Sequence, residues 1–378
     1  MLKKRILFII LAIFLIYSLW LSFNSLSFKT YKAPALKASS LEIQGIYHIH
    51  TRFSDGRKTT DEIAGLASKA GLNFIILTDH GSPNRESYAS QGWKNGVLVL
   101  AGSELSVSRG HLVGLDFKLL SSNFSQNAEE AVFGIMAAGG FSVIAHPYSK
   151  VQWSWGENIG YSGIEIVNAN FMLKEELLFS VPYLPALLIK PSYSLLKILD
   201  SPQRELRKWD ELNKISQIYG YFSTDAHLLY RSALDFLRLH IILDAPLSSD
   251  FESARGHVFE ALRSGRFYNS IHAAAQAAGF RFWGERGKEV VPMGRTTLFE
   301  SGLTLHVQAP FPFAKEIHLI QDGKSIFRST EENISFEAKQ PGVYRVEVYL
   351  REKSPLGKEI PWIVSNPIFL REDKNVDR

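Results

Sequence analysis

The chain has 378 residues, 46% of them hydrophobic and none of them cysteine. That is enough for a large core plus a smaller domain, and it excludes disulfides, thiol nucleophiles and lipid attachment through cysteine. The formal net charge is +4, and Lys3, Lys4, Arg5, Lys29, Lys32 and Lys37 all sit in the N-terminal flank, so the rest is near neutral to slightly acidic, which argues against a nucleic-acid groove.

In chain order, the first element is a membrane-spanning segment. Ile6–Phe23 is 18 residues without a charge, preceded by Lys3-Lys4-Arg5, and at roughly 1.5 Å per residue with a few flanking residues it can cross a bilayer. The positive-inside rule keeps the basic end in the cytoplasm and exports the rest of the chain, predicting a single-pass anchor (residues 1–23) in a bacterial cytoplasmic membrane. The alternative is a cleaved signal peptide with Ser25-Leu26-Ser27 as its site, giving a secreted or periplasmic protein. The apolar run exceeds the ~7 to 15 residues usual for such peptides, which favours the anchor. Residues 24–42 read as a polar, proline-bearing linker that holds the next domain off the membrane.

Residues 43–293 read as alternating strands and helices. The first run carries His48 and His50, which the strand period of two places on one face. A lone H-x-H is weak evidence, because histidine is common on half-buried strands. More ligand types come at further apolar runs: Asp79 and His80 after Phe74-Ile-Ile-Leu77, Glu104 after Val97-Leu-Val-Leu100, His111 in Arg109-Gly-His-Leu-Val113, and His146 after Phe141-Ser-Val-Ile144. Asp225 and His227 then repeat the i, i+2 spacing. Continuous apolar runs separated by helices are the pattern of buried parallel strands, and a barrel of such strands gathers functional residues at the strand C-terminal ends. Thr60–Ala70, stopped by Gly71, and Asn127–Ala138, stopped by Gly139 and Gly140, read as crossover helices.

An apolar insertion at 171–199 reads as two short helices separated by prolines. It either pads the barrel or forms a lid beside the mouth that touches the bilayer. Residues 294–378 change to short alternating strands with a hairpin turn at Asp322-Gly323, predicting a small β-sandwich-like domain whose role is packing against the barrel more than binding a glycan.

These motifs resemble those of the PHP (polymerase and histidinol phosphatase) superfamily of metal-dependent phosphoesterases over about residues 43–290. The resemblance implies an α/β fold, a distorted (β/α)7 barrel, with up to three metals on His48, His50, Asp55, His80, Glu104, His111, His146, Asp225 and His227. It implies one metal on His48, His50, Glu104 and Asp225, a second sharing Glu104 with His111 and His146, and a third on Asp55, His80 and His227. Similar C-terminal β domains come after the barrel in exported bacterial members. Imidazole with carboxylate suits Zn, Mn or Fe. The implied catalyst is a metal-bound water held by Glu104, Asp225 and His227, since adjacent divalent ions produce hydroxide at neutral pH.

Arg109, Arg85, Arg231 and Lys150 are candidates to hold the substrate phosphate. Asp79 is expected to orient a histidine rather than to ligate. His240, His257, His272, His306 and His318 are expected to be structural. The favoured function is hydrolysis of an exported phosphoester, soluble or lipid-linked. The alternatives are a metal-dependent hydrolase of an amide or ester, and a non-catalytic metal-stabilised surface binding protein.

Overall fold

The computed structural model describes residues 2–32, 41–170, 183, 186, 189–311, 313, 315–352 and 354–372. The N-terminal region is one helix, α1 (Leu2–Ser27), whose bulky apolar side chains from Ile6 to Leu26 are mostly exposed and which is long and apolar enough to cross a membrane. Its last turns depart from the expected linker. Asn24 to Ser27 are still helical, Leu21, Ser25 and Phe28 are buried, and Thr30 Oγ1 donates to the Ala273 carbonyl at 3.0 Å. Residues 28–32 therefore lie against the domain and do not form the expected spacer, because Phe28 and Tyr31 have apolar partners there; residues 33–40 lie outside the described residues.

The next strands are β1 (Glu42–Ile49), β2 (Phe74–Leu77), β3 (Gly92–Lys94) and β4 (Val97–Ala101), then β5 (Ser103–Val107), β6 (Gly110–Leu115), β7 (Phe141–Ile144), β8 (Gly163–Asn168) and β9 (Tyr219–Ser223), and last β10 (Arg238–Ile242) and β11 (Phe267–Ser270). β1, β2 and β4 are parallel, and β10 pairs antiparallel with β1 and with β11. β5 to β9 form a second sheet in sequential order. Isolated bridges between Ile49 and Ala226 and between His80 and Glu104 bring the edges of the two sheets together. The expectation of uniformly parallel strands needs one correction. β5, β6 and β7 are antiparallel, so His111 comes from the second residue of its strand rather than from its end.

The helices are α2 (Thr60–Lys69), α3 (Arg85–Ala89), α4 (Ala128–Ala137), α5 (Pro191–Ile198), α6 (Gln203–Asn213), α7 (Tyr230–Leu234) and α8 (Phe251–Arg263). α2 starts where its sequence signals it: Thr59 and Glu62 make a reciprocal capping box, which satisfies two backbone donors left free by the helix start. Of the two helices expected in the insertion, the second is α5. The first lies almost wholly outside the described residues.

The remaining strands are β12 (Arg281–Arg286), β13 (Glu289–Pro292), β14 (Thr296–Leu298), β15 (Thr304–Gln308), β16 (Lys315–Gln321), β17 (Lys324–Ser329), β18 (Asn333–Glu337), β19 (Gly342–Leu350), β20 (Ile363–Ser365) and β21 (Ile368–Arg371). One sheet runs β13-β12-β15-β18, so the C-terminal strands begin before the boundary expected at 293. The other holds β14, β21, β19 and β20, with β16 on β19 and β17 on β16, and is continuous with the first sheet through β20 and β11. An open β11 edge would present unpaired backbone groups, and β20 covers it. The two sheets share one apolar cluster that includes Phe282, Leu305, Val346 and Trp362.

A buried ion pair ties this region to the barrel. The Arg345 guanidinium donates to both Asp210 carboxylate oxygens at 2.8 Å and also contacts Glu347. Arg345→Leu leaves two buried carboxylates without their cation, a class of change that costs roughly 3–5 kcal/mol. Chemical unfolding of the detergent-solubilised chain should show that loss; a change under about 1 kcal/mol would show that the pair is not a fastening.

Candidate metal centre

The opening pair does not sit on regular strand. His48 has φ 68°, and the β1–β2 register shifts between Tyr47 and Ile49. A bulge of this kind re-aims a side chain, and it brings His48 Nε2 to 3.1 Å from His50 Nε2. His146 (φ 25°) and Asp225 (φ 47°) are also in the left-handed region. Three non-glycine residues with positive φ around one point are strain that the surrounding structure must hold. Gly56 lets the loop after His50 fold back, since a Cβ there would lie 2.3 Å from the His50 carbonyl oxygen.

Glu104 is the hub. Its Oε2 lies 3.2 Å from both His48 Nε2 and His50 Nε2, and its Oε1 lies 2.9 Å from both His111 Nδ1 and His146 Nε2. Asp225 Oδ1 approaches His48 Nε2 at 3.6 Å and His50 Nε2 at 3.5 Å. A third set is more open: Asp55 Oδ2 lies 3.1 Å from His227 Nε2 and 3.8 Å from His80 Nε2, and the His50 ring stacks on His227 with centroids 4.1 Å apart. All nine candidate ligands thus come together. The geometry also places His50 beside Asp55, His80 and His227 as well as in the first set.

The donor set fits divalent ions. Ligands at ~2.0–2.1 Å around a tetrahedral ion stand roughly 3.3 Å apart, and His48, His50 and Glu104 approach one another at 3.1 to 3.2 Å, with Asp225 3.5 to 3.6 Å from the two histidines. Two imidazole nitrogens facing each other across 3.1 Å also need a cation or a proton between them.

One residue of the centre is not foreshadowed by any sequence motif. Glu165, in the middle of β8, accepts from His48 Nδ1 at 2.5 Å and from the His146 backbone N–H at 2.8 Å, and Asn168 donates to it at 2.9 Å. It fixes the His48 tautomer that leaves Nε2 facing the site. The signal was a single carboxylate inside a wholly buried strand, which must have a partner. Asn170 donates to Asp225 Oδ2 at 3.2 Å, and no motif points to it either.

Asp79 plays a different part from the one expected. It accepts from the Thr51 N–H (2.7 Å), Ser54 Oγ (2.6 Å) and Ser87 Oγ (2.5 Å), so it fastens the loop after His50 and reaches a histidine only through Ser54. Two of the four cations chosen for phosphate are engaged by other partners. Arg109 pairs with Glu129, Arg85 donates to the Ser121 carbonyl, and Arg231 lines a small cavity with Lys69 and Asp235 between α2 and α7. Lys150 is exposed. His240 is held between Glu42 and Ser270, His306 by Ser335 and Trp283, and His318 by Glu316, all away from the centre.

The electrostatics of the centre arise from three buried carboxylates. Burial opposes the charged form of His48, but Glu165, Asp225 and Glu104 outweigh it and hold its pKa well above the ordinary value. Burial likewise opposes protonation of His50, yet hydrogen bonds to Asp225 and Glu104 raise it to about 9. Burial pushes His80 and His227 down. Without metal, protonated imidazoles neutralise the carboxylates. Because the folded-state values of His48 and His50 are raised, this stabilisation is complete below the ordinary imidazole pKa of about 6.5, and the His50 share of it is lost as pH rises through about 9. The chelator-treated protein should therefore lose melting temperature between pH 6.5 and 9, and stabilisation by added metal should grow over the same window. A flat profile would show that the imidazoles are not the counter-charge. Glu165→Gln should weaken metal binding by roughly 10- to 100-fold in chelator competition.

No family model matches the chain. It is 28% identical over 139 residues to an uncharacterized protein of Methanocaldococcus jannaschii, spanning 32% of this chain and 80% of that one. Among solved structures it is similar to a two-domain protein from Bacteroides vulgatus described as containing a predicted PHP-like metal-dependent phosphoesterase, at 16% identity and TM-score 0.43 over 90% of this chain and 99% of that one. It is also similar to an amidohydrolase from Chromobacterium violaceum, at 18% identity and TM-score 0.30 over 48% and 87% of the two chains. At these values the likenesses establish no family.

Proposed function

We propose that the chain is a PHP-type metal-dependent phosphoesterase, a distorted β/α barrel with a C-terminal β domain, anchored by α1 with its catalytic domain outside the cytoplasm. The observation that carries this reading is the division of the Glu104 carboxylate between two imidazole pairs, His48 with His50 and His111 with His146. A carboxylate set between two groups of nitrogen donors suits adjacent divalent ions of the Zn, Mn or Fe kind.

Such ions would supply Lewis acidity and lower the pKa of water, the two requirements for attack on a phosphoester. The chain's own residues then have definable tasks. Glu165 keeps His48 Nε2 turned inward, and Asn170 holds Asp225 from the side of the insertion. His227 donates at Nδ1 to the Asp225 carbonyl at 2.9 Å, leaving Nε2 toward Asp55. His80 and Asp55, the more exposed members, face arriving substrate.

A second reading, hydrolysis of an amide or carboxylic ester, is favoured by one observation: two of the three arginines expected to meet a phosphate, Arg109 and Arg85, have their described hydrogen bonds elsewhere. A panel of phosphomonoesters, phosphodiesters and amides, given to the full chain in detergent with metal content measured by mass spectrometry, separates the two. Phosphoester turnover is expected, falling at least about a thousandfold in His48→Ala and Asp225→Ala. Turnover of amides alone would move the assignment to the second reading, and unchanged turnover in both variants would remove the centre from catalysis.

A further inference from the structure

The metal centre and the membrane helix meet at the same end of the barrel. β11 runs in the sense of β1, since both are antiparallel to β10, so the segment after Ser270 lies at the end where His48 and His50 emerge. That segment is where the anchor lands. The Tyr31 N–H donates to the Ala274 carbonyl at 3.2 Å, and the Gln276 N–H returns a bond to the Tyr31 carbonyl at 2.8 Å. On its other side, Phe28 packs on Tyr193 of α5 with ring centroids 5.8 Å apart, and Lys190 donates to its carbonyl. α5 belongs to the insertion expected at 171–199, and Asn170, the residue before that insertion, donates to Asp225. The helix end is thus clasped to the mouth face without slack.

The mouth itself carries a rim that water does not favour. Phe53 stands three residues after His50, Val151 five after His146, and Leu228 and Leu229 directly after His227; they are 43%, 55%, 60% and 62% exposed. Single exposed apolar residues need no explanation, but these four all stand on loops that follow ligands of one centre. Exposed Arg52 and Lys150 stand beside Phe53 and Val151. Apolar side chains interleaved with basic ones are the composition of a surface that beds into an anionic bilayer interface.

We propose that the mouth faces the bilayer from which α1 emerges and that the substrate is the phosphoester headgroup of a membrane lipid. This rests on the phosphoesterase reading. Water contributes the oxygen of the new bond to phosphorus, the ester P–O bond to the lipid alcohol breaks, and the departing alkoxide takes up a proton released from that water. The anchor fixes the distance between mouth and headgroup, and the rim lets the headgroup reach the metals without leaving the membrane.

The full chain in lipid nanodiscs tests this twice. Because there is no native cysteine, a single dye can be placed at Val151→Cys, or at Met136→Cys near the opposite end of the barrel as control. Lipid-borne quencher should quench the first and spare the second; equal quenching, or none at either, overturns the orientation. In the second test, phosphatidic acid and phosphatidylglycerol in the nanodisc are compared with glycerol 3-phosphate in solution. In Phe53→Ser/Val151→Ser/Leu228→Ser, checked for wild-type metal content, the lipid-to-soluble rate ratio should fall at least tenfold. An unchanged ratio, or turnover of the soluble ester alone by the wild type, overturns the lipid assignment and leaves the phosphoesterase reading standing. Turnover of neither by the metal-loaded wild type overturns both.

Discussion

The structure depends on keeping negative charge inside a barrel mouth. Glu104 and Glu165 are 1% exposed and Asp225 is 6% exposed, and ionised carboxylates cannot be buried at that depth without compensation. Every unusual feature of the mouth serves that end. The bulge at His48 turns an imidazole toward Glu104, the left-handed backbone at His146 and Asp225 aims two more groups inward, and the Asp79 hub holds the loop that carries Asp55. The two sheets, bridged at Ile49–Ala226 and His80–Glu104, supply the rigidity that keeps these strained residues in place.

Much of this was legible in the sequence because ligands and strands share a rhythm. His48, His50, His80, Glu104, His146, Asp225 and His227 trail or close apolar runs, and those runs are the strands. His111 was legible as a ligand type but not as a strand start, since local pattern does not show that β6 runs antiparallel to its neighbours. Glu165 was hidden for the opposite reason: it lies inside a run, where apolar continuity masks a single carboxylate. The arginines were misplaced because proximity in sequence to a ligand says nothing about which way a long side chain turns. Arg109 is two residues from His111 and still pairs with Glu129 on α4.

The N-terminal region shows a similar limit. Length and hydropathy foretold a helix long and apolar enough to cross a membrane, while the polar stretch after it looked like a spacer. Tertiary contacts overrode that composition: Phe28 and Tyr31 find aromatic partners, and the barrel supplies backbone acceptors and donors to Thr30 and Tyr31. Composition describes what a segment tolerates; burial decides where it goes.

Two other sites of buried carboxylates, compared with the mouth, say what the mouth is for. Asp210 and Glu347 face Arg345, a permanent cation with a fixed fork. Glu42 faces His240 but also Arg281, Tyr268 and the Gly279 N–H; burial pushes its pKa up, and these partners outweigh it and bring the value down to about 2. Both sites are closed, with counter-charges that do not leave. At Glu104 the described counter-charges are imidazoles alone, groups that carry a proton in one state and a bare lone pair in another. An arginine there would satisfy the carboxylate permanently and block any other cation. Imidazoles compensate it provisionally, and they yield the same space to a divalent ion when one arrives, so the residue type chosen for the mouth separates a metal site from a structural ion pair.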